Sequence, residues 1–80
     1  MNNFLTLVLK FSNDKFLKIF YSFQFKFIRE LHKYDIRINF KKYQSVNNIS
    51  LLDKKNKTIY TSKVINENVF KTIIEIAKKQ

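Results

Sequence analysis

The chain has 80 residues, a formal net charge of +10 and no Cys, Gly or Pro. Its length permits one domain with a modest core, and the missing cysteines exclude a disulfide framework and a thiolate metal site. Small secreted domains normally depend on disulfides, so a reduced intracellular or organellar compartment is expected. Sixteen Lys and Arg against six Asp and Glu predict attraction to a polyanion, either nucleic acid or an anionic membrane surface.

Without Gly and Pro, the turns must be formed by Asn, Asp and Ser, which tolerate left-handed backbone conformations. The excess of Lys, Asn, Ile and Phe indicates A+T-rich coding, which suits an organellar genome, above all that of a mitochondrion, or the cytoplasm of an A+T-rich microbe. Polar residues interrupt every apolar run before the roughly 20 residues that a transmembrane helix needs. The first ten residues are not typical of a signal or transit peptide.

The first predicted element is a strand over residues 4–11, because leucines occupy every second position. Its other face carries Val8, so both faces are expected to be partly covered. Asn13 and its neighbours offer a cap for a helix over residues 15–32, in which Phe recurs at intervals of three or four. Phe23, Phe25 and Phe27 also alternate as in a strand, but the helical stripe persists for several turns and favours the helix.

A second strand is predicted over residues 35–43, a polar stretch over 44–57 and a third strand over 58–64. Asn66 or Asn68 can cap a final helix. The order β-α-β-β-α is the ferredoxin-like unit without its last strand. The predicted fold class is therefore α+β, with two helices on one face of a small antiparallel sheet. The opposite face, with Arg37 and Lys41, is expected to be open to solvent or a partner.

The sequence offers little support for catalysis. His32 stands at the end of the long helix, where a role at the helix C-terminus is favoured over a metal or catalytic role. The six acidic residues are scattered along the sequence, and no two of them are placed to act as a general acid and a general base. A glycine-rich phosphate loop cannot exist without glycine. We therefore expect neither an enzyme nor a cofactor.

Two groups of basic residues form the predicted RNA-binding site. One recurs at helical spacing opposite the phenylalanine stripe, although an ordinary solvated helix face is the alternative. The other flanks the polar stretch and would meet at the base of a long hairpin around residues 41–58, between the second and third predicted strands. A partner such as RNA would offset the cost of ordering this hairpin. The predicted contacts are Lys15, Lys18, Lys26 and Arg29 of the helix and Lys41, Lys42, Tyr43, Lys54, Lys55 and Lys57 of the hairpin.

Residues 5–17 and 49–55 resemble the small-subunit ribosomal protein number ten (NusE) family. The first segment resembles its first strand, loop and helix start. The second resembles its loop of alternating Ile, Pro and Leu before basic residues, with Ser50 and Leu52 in place of the prolines. Residues 58–62 resemble the strand that follows, and the family's closing strand has no counterpart.

This resemblance implies a component of the small-subunit head whose hairpin penetrates rRNA and neighbouring ribosomal proteins, with Lys41, Lys42, Lys54 and Lys55 as RNA contacts. The leading hypothesis is a structural constituent of a small ribosomal subunit, in an organelle. The alternative is a small accessory subunit of a membrane or organellar protein complex, whose phenylalanine-rich helix packs on partner helices. A DNA-binding regulator is a third hypothesis, but the sequence has no recognisable helix-turn-helix.

Overall fold

The structure is a computed structural model that describes residues 4–80. Its elements, in chain order, are β1 (Leu5–Phe11), α1 (Asp14–Lys26), α2 (Ile28–Lys33), β2 (Ile36–Lys42), β3 (Asn48–Leu52), β4 (Thr58–Ser62) and α3 (Glu67–Lys78). The strands form one sheet in the order β2-β1-β3-β4. The predicted α+β class is thus confirmed: residues 4–80 form a four-stranded mixed sheet and three helices, an arrangement compatible with a ferredoxin-like fold.

The hydrophobic core lies on one side of this sheet. Leu5, Leu7 and Leu9 of β1 are buried there, together with apolar residues of β2 and β3, as the alternation of β1 predicts. Phe20 of α1 and Phe70 of α3 pack against the same cluster. The helices therefore cover one sheet face, and the other face has no helix over it among residues 4–80.

The predicted long helix is divided at Phe27 into α1 and α2. Asn13 caps α1, because its side-chain oxygen accepts a hydrogen bond of 2.8 Å from the Phe16 N–H. Phe27 departs from helical geometry, with φ −106° and ψ 20°, yet its N–H still bonds the Phe23 carbonyl at 2.9 Å. No helix within the described residues is both long and apolar enough to cross a membrane.

The predicted helix over the segment of Phe23, Phe25 and Phe27 is confirmed, and the alternative of a strand is wrong. The rings of Phe23 and Phe27 stack on Phe70 with centroids 5.8 Å and 5.6 Å away. Phe25 is 81% exposed, because a residue two positions from each of the others lies on a different side of a helix. The alternation in the sequence is therefore a coincidence of composition.

The prediction of a long hairpin around residues 41–58, between the second and third predicted strands, is wrong, and so is the prediction of a purely antiparallel sheet. The polar stretch contains an additional strand, β3, whose Ile49 and Leu51 are fully buried. β2 pairs with β1 in parallel, as expected when helices connect two neighbouring strands. β3 pairs antiparallel with β1 and with β4. The hairpin of this protein therefore joins β3 to β4.

The expectation that Asn and Asp replace glycine in the turns is confirmed at two positions. Asp35, before β2, has φ 53°, and Asn56, in the β3–β4 turn, has φ 64°. Both values lie in the left-handed region, which Asn and Asp tolerate better than other non-glycine residues. The chain thus makes tight reversals without glycine.

Candidate nucleic-acid interface

The sheet face opposite the helices, here called the open face, is formed by alternate residues of the four strands. Three of its side chains are cationic, namely Lys10 of β1 and Arg37 and Lys41 of β2. None of the four strands contains Asp or Glu. The open face is therefore entirely neutral or positive.

Small side chains occupy the centre of the open face. Val8 and Ser50 are register partners on β1 and β3, and both are buried between their neighbours. The Ser50 hydroxyl lies 3.1 Å from that of Thr61 on β4, so these two groups satisfy one another.

Lys10 occupies a crowded position at one end of the open face. It lies between Lys41 on β2 and Asn48 on β3 in the register of the sheet. Neither lysine forms an ion pair within residues 4–80, and the Asn48 Oδ1 atom is buried without a hydrogen bond from them. Adjacent like charges repel, so an anion bound between the two lysines would be favourable.

Tyr43 follows β2 and stands beside this lysine pair. The Lys10 Nζ atom is 5.7 Å from the centre of the tyrosine ring, within cation–π range. The Tyr43 N–H donates to the Phe11 carbonyl at 2.9 Å, which holds the residue at the end of β1. Tyr43 remains exposed, so its ring is available for stacking.

The loop from Tyr43 to β3 is tied to the end of β1 by a second set of bonds. Asn47 accepts a hydrogen bond of 2.9 Å from the Ser12 N–H, and its own amide donates to the Ser12 hydroxyl at 2.7 Å. These reciprocal bonds fix the course of the loop. The surface around Lys10 and Lys41 is thus held in place by backbone and side-chain contacts.

At the other end of the open face, Arg37 packs on an aromatic ring. Its guanidinium carbon is 4.2 Å from the centre of the Phe4 ring. This distance is typical of a cation–π contact, which orients the guanidinium while leaving its N–H groups able to donate.

The β3–β4 turn carries the lysines that were predicted to join Lys41 and Lys42. The Asp53 carboxylate accepts hydrogen bonds from the N–H groups of Lys57 at 3.0 Å and Lys55 at 2.8 Å. These bonds, that of Lys57 foremost, hold the pKa of Asp53 below its ordinary value. The carboxylate therefore shapes the turn, while the side chains of Lys54, Lys55 and Lys57 are exposed.

The two basic groups do not meet, which corrects the prediction. Lys41 and Lys42 follow the direction of β1 and lie at its C-terminal end. β3 runs the opposite way, so its turn lies at the N-terminal end of β1. A seven-residue strand separates these ends by about 20 Å.

The predicted stripe on the first helix is present but differs in one member. Lys15, Lys18 and Arg29 are exposed. Lys26 instead donates to the Glu67 carboxylate on α3, which Lys71 also contacts at 3.2 Å. The hydrogen bond from Lys26, with that from Lys71, lowers the pKa of Glu67. Lys26 thus joins α1 to α3 and contributes little free charge to a partner.

The open face includes two cations, Lys10 and Arg37, that were not among the predicted contacts. The alternation of β1 and β2 places both beside Lys41, so period-two spacing was the signal that identifies them. Across residues 4–80, three of the sixteen Lys and Arg side chains are in ion pairs, which leaves thirteen without an acidic partner.

Within this same range, no three His, Asp or Glu side chains lie close enough together to hold a metal ion.

No family model matches the chain, and comparisons with curated proteins and with solved structures give no match. The function is therefore inferred from the geometry and charge of the surface.

Proposed function

We propose that the protein is a non-catalytic, RNA-binding constituent of a small ribosomal subunit, in an organelle such as the mitochondrion, and that its open face lies against rRNA. The observation that carries the proposal is that all four strands lack acidic residues while Lys10, Arg37 and Lys41 share one uncovered face. Such a surface attracts phosphates and offers them no repulsion.

Binding of this kind depends on phosphate neutralisation. Each lysine or arginine that contacts a phosphate releases counterions, so the affinity falls steeply with salt and varies little with base sequence. Tyr43, at the border of the open face, can stack on an unpaired base. The β3–β4 turn supplies a second basic contact about 20 Å away.

The resemblance to the ribosomal protein number ten family supports the ribosome as the particle, with rRNA and neighbouring ribosomal proteins as partners. The short β3–β4 hairpin changes the expected mode of contact. The proposed contact is therefore made by the open face lying against the RNA, and not by a long hairpin that penetrates it.

The experiment is sedimentation of the tagged protein from cell or organelle extracts through sucrose gradients at low, moderate and high salt. The proposal predicts co-sedimentation with the small subunit at low and moderate salt, and release at high salt as phosphate contacts weaken. Sedimentation free of both subunits at every salt concentration would show that the protein is not ribosomal.

A second candidate function is that of an accessory subunit of a membrane or organellar protein complex. It is favoured by exposed aromatic residues on α1, since Phe25 is 81% and Tyr21 49% exposed. In the same fractionation, recovery of the protein with a detergent-solubilised complex after removal of ribosomes would support this candidate.

A further inference from the structure

β2 is an edge strand of the described sheet and is exposed along most of its length. It is seven residues long, and its last four residues are all exposed. The outer backbone groups of an edge strand are available to pair with another strand. Proteins normally protect such an edge from pairing with other chains. The side chains on either side of β2 therefore indicate which kind of strand could pair with it.

On the helix side, β2 is bordered by an aromatic shelf made of Tyr21, Phe25 and Phe40. The rings of Tyr21 and Phe40 are 5.5 Å apart. Phe25 is four residues after Tyr21 on α1, so the two side chains are neighbours on the helix surface. All three are exposed, Phe25 to 81%. The shelf would contact every second side chain of a strand added to β2.

On the open side, β2 is bordered by cations. Arg37 and Lys41 project from this face with Asn39 between them, and β2 contains no acidic residue. The other set of alternate side chains on an added strand would face these two cations. Acidic side chains would be favourable there, because opposite charges across neighbouring strands stabilise the pair.

The same charges argue against a second copy of this chain as the occupant. Antiparallel pairing of β2 with another β2 around Asn39 would place Arg37 opposite Lys41 twice. Like charges directly opposite one another destabilise a strand pair. The edge thus disfavours self-association and favours a chain of opposite charge.

We propose that the β2 edge binds an extended segment of a partner protein, in which apolar and acidic residues alternate, by strand addition. Backbone hydrogen bonds to β2 would supply affinity, and the two borders would supply specificity. Apolar residues would pack on the aromatic shelf, and acidic residues would face Arg37 and Lys41. Arg37 and Lys41 belong to the open face as well, whereas the aromatic shelf lies on the opposite side of the sheet, so a change in the shelf separates this proposal from RNA binding.

The test uses a defined probe, a peptide as long as β2 in which glutamate and valine alternate. Binding is followed by fluorescence anisotropy and mapped by NMR amide shifts on the whole protein. The control peptide has the same composition, with its glutamates and valines in two blocks. The expected result is shifts in β2 and the aromatic shelf, none in β4, and binding about fivefold weaker for the control.

Two variants test the cationic border and the aromatic shelf separately. Lys41→Glu should weaken binding about fivefold or more, and a peptide with lysine at the facing position should restore it. Phe25→Ser should weaken peptide binding without changing RNA affinity. Val64→Ser, at an apolar residue that is 58% exposed outside the shelf, is the matched control and should change neither.

Four results of the peptide experiments would overturn the proposal. They are absence of binding at millimolar peptide, shifts confined to β4 or to β1, equal binding of the two peptides, and an unchanged affinity for Lys41→Glu. A dimer in analytical ultracentrifugation that is strengthened by Lys41→Glu, which would place Glu opposite Arg37 of the other copy, would instead identify a second copy at this edge, and would equally contradict the proposal.

Discussion

Phe70 of α3 is the residue on which aromatic rings from α1 and from the junction between α1 and α2 converge. Its ring lies within 5.8 Å of the rings of Phe20, Phe23 and Phe27, and it is fully buried. Aromatic pairs at such distances stabilise beyond the area that they bury. Phe25, in the same helix as Phe20 and Phe23, has no comparable burial, so the two kinds of phenylalanine should differ sharply in their contribution to stability.

Phe70→Ala is expected to lower the free energy of unfolding by about 3–5 kcal/mol, because it leaves a cavity among packed rings. Phe25→Ala should change it by no more than about 0.5 kcal/mol, because the side chain is mostly in water. Urea denaturation followed by circular dichroism measures both values. Phe70→Leu, which retains more of the packed volume, keeps the comparison possible if the alanine variant does not fold. Equal losses at the two positions would contradict this packing.

At the scale of elements, the β3–β4 turn depends on one ionised carboxylate. The folded pKa of Asp53 is lowered by the N–H bonds of Lys57 and Lys55, so its unfolded pKa is the higher of the two. The contribution of Asp53 to turn stability is therefore present above the unfolded pKa and is lost as the pH falls through the folded pKa. Acidification should loosen the turn before it affects the core.

NMR titration is the measurement for the turn. The Asp53 carboxyl resonance should titrate below the ordinary value for aspartate, and the Lys55 and Lys57 amide resonances should move with it. Asp53→Asn retains an acceptor oxygen and should abolish this pH dependence. A titration of Asp53 at or above its ordinary value would show that the bonds to Lys55 and Lys57 do not form.

Local periodicity predicted most of the elements but not how the strands pair. The alternation of β1 and β2 correctly placed the core on one face and Arg37 and Lys41 on the other. β3 was missed because its two buried apolar residues, Ile49 and Leu51, stand in a short segment between polar stretches. Whether β2 pairs with β1 or with the next strand depends on the path of the chain between them, which periodicity does not contain.

The candidate site was predictable where it follows a single strand or helix. Lys41 and the exposed helix lysines lie where their spacing indicates. The prediction that Lys41 lies close to the lysines of the β3–β4 turn was wrong, because it assumed a hairpin between strands that do not pair. The bond from Lys26 to Glu67 joins residues 41 positions apart, and it depends on how α1 and α3 pack.

At the scale of the whole molecule, the excess positive charge is distributed unevenly between the two sides of the sheet. The open face combines unpaired cations with strands free of acids, whereas all three ion pairs of residues 4–80 are on the helix side. A phosphate that approached the helix side would meet carboxylates such as Glu67 and Glu75, and one that approached the open face would not. This asymmetry distinguishes the RNA-binding proposal from simple attraction by net charge.

The most direct measurement compares RNA affinity for two triple variants that remove the same charges. One is Lys10→Ala, Arg37→Ala and Lys41→Ala on the open face, and the other is Lys18→Ala, Arg29→Ala and Lys33→Ala on the helices. With a fragment of small-subunit rRNA, the open-face variant should lose about tenfold or more in affinity. Its salt slope should fall by about one for each phosphate contact removed, while the helix variant changes little. Equal losses for the two variants, or none for the open-face variant, would contradict the account.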